Sequence, residues 1–115
     1  MEERVITMPV LALRGITILP GMVQHFDINR PKSVAAVEKA MVGDQRVFLV
    51  AQRHPEVQDP KLEDLYQVGT ISVVKQLVKL PGKVVRVLVE GLERGELLCL
   101  DSTDPALIGE IGYLG

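Results

Sequence analysis

The chain has 115 residues, within the range of a single domain and long enough to bury an apolar core without a disulfide or a metal. Its 47% hydrophobic and 24% charged residues exclude a disordered or fibrous class, and a formal net charge of -2 excludes general attraction to a phosphate backbone. Aromatic residues are only 3%, so Val, Leu and Ile must supply the core, and β-branched residues favour pleated strands.

From the amino terminus, Met1 to Thr7 carries Glu2, Glu3 and Arg4 ahead of few apolar residues, which is not the pattern of a signal peptide. The blocks Val10–Leu13 and Ile16–Leu19, closed by Arg14-Gly15 and Pro20-Gly21, predict two short strands, and Val23–Ile28 predicts a third. A helix follows. Pro31 suits its first turn with Asn29 or Arg30 at the cap, and Val34, Val37 and Met41, with Ala40 beside them, form a stripe that packs on a sheet. Gly43 is expected to end it in the left-handed conformation.

Arg46 to Gln52 reads as an interior strand, and residues 53 to 65, with Pro55, Pro60 and four acids, as a solvated loop with one helical turn. Thr70 to Glu90 holds two apolar runs about Leu80-Pro81-Gly82-Lys83 and predicts an antiparallel hairpin. Val85, Val87 and Val89 share one of its faces, and Arg86, Leu88 and Glu90 the other. In the partner strand Val74, Val78 and Leu80 share a face with Gln76, and the adjacent Val73 and Val74 call for a β-bulge. Gly91 to Gly95 is expected to turn, Glu96 to Leu100 to form another strand, and Leu107 to Leu114 a last one. Stopping directly after a strand reads as a boundary inside a longer protein. The pattern predicts a mainly β domain with one helix and about six or seven short, mostly antiparallel strands over residues 1–115.

The inventory for chemistry is thin. There is no P-loop, because Gly82-Lys83 lies in a hairpin turn and not before a helix. None of Ser33, Ser72 and Ser102 sits in a strained glycine elbow, and Lys32 beside Ser33 faces another way on a helix. His25, His54 and the single Cys99 give no metal-ligand spacing, so no catalytic residue and no metal are expected. Cys99, in the apolar run Leu97–Leu100, reads as a small buried hydrophobe, and a lone thiol is compatible with a reducing cytoplasm. No apolar stretch approaches the roughly 20 residues that span a bilayer, so no membrane partner is expected. Lys75, Lys79, Lys83 and Arg86 gather into a basic strip, which without interleaved aromatics reads as a solvated, aggregation-resistant face and not as a nucleic-acid site.

The run Met8-Pro9-Val10-Leu11-Ala12-Leu13-Arg14, then Leu19-Pro20-Gly21, Val68-Gly69-Thr70-Ile71, and the block from Leu80 to Arg94 resemble, in order and spacing across almost the whole chain, the amino-terminal domain of Lon ATP-dependent proteases. One departure is the turn, where the family usually has Pro-Asp-Gly. Here Gly82 follows Pro81 and Lys83 takes the glycine place, so a wider loop than a tight two-residue turn is expected. The resemblance implies a PUA-like pseudo-barrel ahead of a helical segment, an AAA+ ATPase that uses ATP and Mg, and a Ser-Lys peptidase, in a cytoplasmic homohexamer for protein quality control. This domain would then recognise unfolded or degron-bearing proteins, have no cofactor and carry no catalysis; an RNA-binding PUA-like domain is the alternative. Capture of unfolded protein requires exposed apolar surface, and the expected contributors are Leu77, Leu80, Pro81, Leu88 and Met22.

Overall fold

The computed structural model describes residues 4–114. Six strands and one helix occur among them: β1 (Val5–Leu13), β2 (Val23–Ile28), α1 (Pro31–Met41), β3 (Arg46–Ala51), β4 (Val68–Leu80), β5 (Val84–Ser102) and β6 (Ile108–Tyr113). They form one mixed sheet in the order β2-β5-β4-β3-β1-β6, and a further β5–β6 pairing closes the last five strands into a ring. Only the β1–β3 pair is parallel among the described pairings, and α1 is part of the connection between β2 and β3.

The runs of β1 and β3 lack period-two alternation because both of their faces are buried. Leu11, Leu13, Val47 and Leu49 join the cluster under α1, and Val10, Ala12, Phe48 and Val50 join a second cluster with Ile71, Leu97 and Ile111. Closure is reinforced where Arg46 Nη1 donates to the Tyr113 hydroxyl at 3.1 Å, joining β3 to β6.

Several expectations are corrected. Ile16–Leu19 is not a strand but an irregular segment laid across the sheet. The buried Thr70 hydroxyl donates to the Ile18 carbonyl at 2.6 Å, the Gly21 N–H donates to the Gly91 carbonyl at 2.9 Å, and the Gly91 N–H donates to the Met22 carbonyl at 2.8 Å. Gly91 to Gly95 does not turn. β5 runs through it, because glycines let the backbone lie against its neighbours: a Cβ at Gly91 would collide with the Leu19 carbonyl, and one at Gly95 would lie 2.8 Å from Ile111 Cγ2.

Arg30 caps α1 and Pro31 opens it, as expected, with Val37 and Ala40 buried and Val34 and Met41 packed partly against the core. At its end the left-handed residue is Gln45 (φ 67°), not Gly43. Gln45 is held there by Val74, which donates its N–H to the Gln45 carbonyl at 2.8 Å and accepts from the Gln45 side-chain amide at 2.8 Å. The hairpin loop is three residues wide, with Gly82 and Lys83 both at positive φ (80° and 63°). The helical turn expected in the acidic loop is a 3-10 turn at Leu62–Asp64.

The bulge in β4 falls between Val74 and Gln76, one residue later than Val73/Val74, with Lys75 as the extra residue. The displacement reverses the faces of the distal hairpin. Leu77, opposite the buried Val87, packs on the core, and Val78, opposite Arg86, points outward. No described helix is long and apolar enough to cross a membrane.

Candidate functional site

The distal part of β4 with β5 and β2 forms a three-stranded layer whose two faces differ. On the inner face Val74, Val85, Val87 and Val89 are buried, and Lys79 reaches Glu38 of α1 at 3.7 Å. The outer face has no covering element among the described residues. Register places Leu88 between Gln76 and His25, Val78 beside Arg86, Leu80 beside Val84, and Val23 beside Glu90. Diagonal neighbours on a sheet lie roughly 7–8 Å apart, within reach of long side chains such as Leu88. Val23, Leu88, Val78 and the Leu80–Val84 pair are thus placed as an interrupted apolar stripe across the three strands, alternating with His25, Gln76, Arg86 and Glu90, with Val23 54% and Val78 41% exposed.

Charge pairs flank the stripe. Arg86 makes a two-pronged contact with Asp27, at 2.8 and 3.1 Å, and Lys75 meets Glu90 at 3.0 Å. The Arg86 guanidinium, by hydrogen bond first and charge second, holds the Asp27 carboxyl below its ordinary value. Of the expected basic strip, Lys75, Lys79 and Arg86 are each matched by an acid.

Of the residues expected from sequence, Leu80 and Leu88 are half-buried on this outer face and Pro81 is exposed at its tip. Leu77 is on the inner face for the reason given above. Met22 is likewise packed against the core, its sulfur accepting the Leu19 N–H at 3.3 Å. Val78 was missed because the bulge position sets its phase, and only a shift of one residue separates the two assignments; Val23 and Val84 lie in β2 and β5, where the alternation is regular, and were not singled out.

Other concavities lie elsewhere, two of them sizeable. One of about 590 Å³ is lined by Leu13, Ile18, Leu19, Tyr66, Val68 and Arg94. Another of about 480 Å³ lies at the amino end of α1, between that helix, residues 58–60 and residues 104–107. Buried Gln52 holds Arg30 of its lining: the Gln52 side-chain amide donates to the His54 and Val57 carbonyls at 3.1 and 2.9 Å, and its oxygen accepts from Arg30 at 2.6 Å. The sequence carries no pattern that announces this network.

The serines expected to be non-catalytic have local surroundings: Ser72 donates to the Thr70 carbonyl and Ser102 to the Asp104 carbonyl, both at 3.2 Å. Cys99 is not the buried hydrophobe expected. It is half-exposed, with Sγ 3.7 Å from Asp101 Oδ1, and forms with Asp101 and Glu110 a group whose ligand atoms lie within 4.8 Å of one another. Desolvation, then the Glu110 and Asp101 charges, push the thiol above its ordinary value, opposite to what a reactive or metal-bound thiolate requires.

The model of the ATP-dependent protease La (LON) substrate-binding domain family matches residues 7–115. The chain is 49% identical over 111 residues to the Lon protease of Lachnoclostridium phytofermentans, covering 96% of this chain and 14% of that protein. It is 45% identical over 105 residues to the Lon protease of Desulforamulus reducens, covering 91% of this chain and 13% of that protein. The chain thus spans about one-seventh of the length of these relatives. Among solved structures it resembles the N-terminal domain of Mycobacterium avium complex Lon protease, at a TM-score of 0.75 and 20% identity over 95% of this chain and 55% of that one. It also resembles a Lon N-terminal domain protein from Xanthomonas campestris, at a TM-score of 0.71 and 14% identity over 96% of this chain and 60% of that one. The fold is therefore that of Lon N-terminal domains, and the chain belongs to the Lon protease substrate-binding domain family.

Proposed function

We propose that this domain captures unfolded polypeptide for an ATP-dependent protease through the outer face of the β2-β5-β4 layer. The observation that carries the reading is the apolar stripe Val23–Leu88–Val78–Leu80, uncovered on a sheet whose opposite face carries the buried Val74, Val85, Val87 and Val89. Hydrophobic attraction has no direction and needs no sequence code, so a stripe bounded by paired charges holds an exposed apolar segment of varied sequence while staying soluble. Pro81 at the tip extends the stripe, and Leu77 and Met22 support it from the core side. Hydrolysis belongs in this reading to the rest of a longer, cytoplasmic, homo-oligomeric protein with its own ATPase and peptidase, and this domain contributes recognition alone.

The test is fluorescence polarisation with carboxymethylated lactalbumin, which cannot refold. Val78→Ser with Leu88→Ser is expected to weaken binding at least tenfold while the melting temperature moves by a few degrees at most. Unchanged affinity in a folded double variant would remove the stripe from the account.

A further inference from the structure

The amino end of α1 breaks the electrostatic preference of helices. The positive end of the helix dipole favours acids, yet the cap is Arg30, Lys32 follows, and the first turn contains no acid. No side chain caps the helix, and the N–H groups of Lys32 and Ser33 precede its first internal bond, from Val34 to Arg30. The half-buried Arg30 guanidinium bonds to neutral acceptors, the Gln52 side chain at 2.6 Å and the Ala12 carbonyl at 2.8 Å, and makes no ion pair among the described residues.

A second, independent feature marks the same place. Ser33 is 7% exposed, and its hydroxyl makes no hydrogen bond to the described protein. No partnerless side-chain polar atom is fully sealed among the described residues, so the Ser33 oxygen keeps contact with the clefts its residue lines. The larger of these is the 480 Å³ cleft, whose walls are Val10, Ala12, Pro31, Pro60, Pro105 and Leu107. Asp59, paired with Lys32 at 2.8 Å, and Asp104 also line it.

We propose that this cleft binds the free carboxyl terminus of a polypeptide ending in an aliphatic residue. The carboxylate accepts from the Ser33 hydroxyl and the first-turn N–H groups, within the field of Arg30, and the terminal side chain lies against the apolar walls. Two acids at the cleft oppose a dianionic phosphate more than a singly charged carboxylate, and the apolar walls suit a side chain and not a bare ion. The inference rests on the polypeptide-binding reading above but uses different residues.

The probe is a fluorescein-labelled hexapeptide ending in Ala-Ala-Leu, prepared as the free acid and as the terminal amide and titrated into the intact chain. The acid is expected to bind at least tenfold tighter than the amide. Ser33→Asp places a carboxylate where helix starts favour one, and is expected to abolish that preference. Ser33→Ala is expected to reduce acid binding severalfold with the melting temperature retained. Equal binding of acid and amide, or full acid affinity in folded Ser33→Ala, would overturn the site. If lactalbumin binding still depended on Val78 and Leu88 in that case, the terminal-carboxylate site would fall and the stripe would stand.

Discussion

The ring strands β1 and β3 and the layer β2-β5-β4 are built from similar Val- and Leu-rich segments but use them differently. β1 and β3 bury both faces, one in each core cluster, whereas the layer buries only the face that carries Val85, Val87 and Val89. A strand buried on both sides is fixed by packing and has no surface left to offer. A strand buried on one side is held by half its residues and leaves the other half for recognition, so stability and binding are separable by residue parity.

The sharpest break of that comparison is Phe48→Ala in the ring, which removes a fully buried ring packed near Gly69 and Gly95. Chemical denaturation is expected to show a loss of about 4 kcal/mol. Gly91→Val, whose Cβ meets the Leu19 carbonyl, is expected to cost about 3 kcal/mol in the same assay. In the layer, Leu77→Ser on the inner face is expected to cost about 2 kcal/mol, whereas Val78→Ser beside it costs about 0.5 kcal/mol or less and acts on client binding. Equal destabilisation by those two neighbours would show that the bulge at Lys75 does not set the faces as described.

The smallest effects are those of pH. Arg86, Lys32 and Arg46 hold Asp27, Asp59 and Asp44 below the ordinary 3.8, so their contribution is present above that pH and lost as pH falls through the lowered values. Glu110 behaves oppositely. Its neighbour Asp101 raises it above 4.5, so its contribution is complete below that pH and lost as pH rises through the raised value. Asp101→Asn is expected to raise the neutral-pH melting temperature slightly and Arg86→Met to shift the acid transition upward, both read by thermal melts across pH.

Much of the architecture was legible in the sequence. Proline at the helix start, the apolar run of β3 and the alternation of Val85, Val87 and Val89 are local signals, and each produced the element that its period implies. Two kinds of feature were not legible. Glycines at 91 and 95 serve close approach to Leu19 and Ile111, distant in sequence, so they read as a turn. The bulge follows Val74, which is gripped by Gln45 of the distant α1–β3 connection, and a one-residue error there exchanged the faces of Leu77 and Val78. The Arg30–Gln52 network was invisible for the same reason, because its partners meet only in the fold.

The most direct test is a methyl NMR map of the labelled domain titrated with carboxymethylated lactalbumin. Shifts at Val23, Val78, Leu80 and Leu88, with Val74, Val85 and Val89 unmoved, are the predicted result. Shifts confined to the cleft of Leu19 and Val68, with the outer face silent, would contradict it.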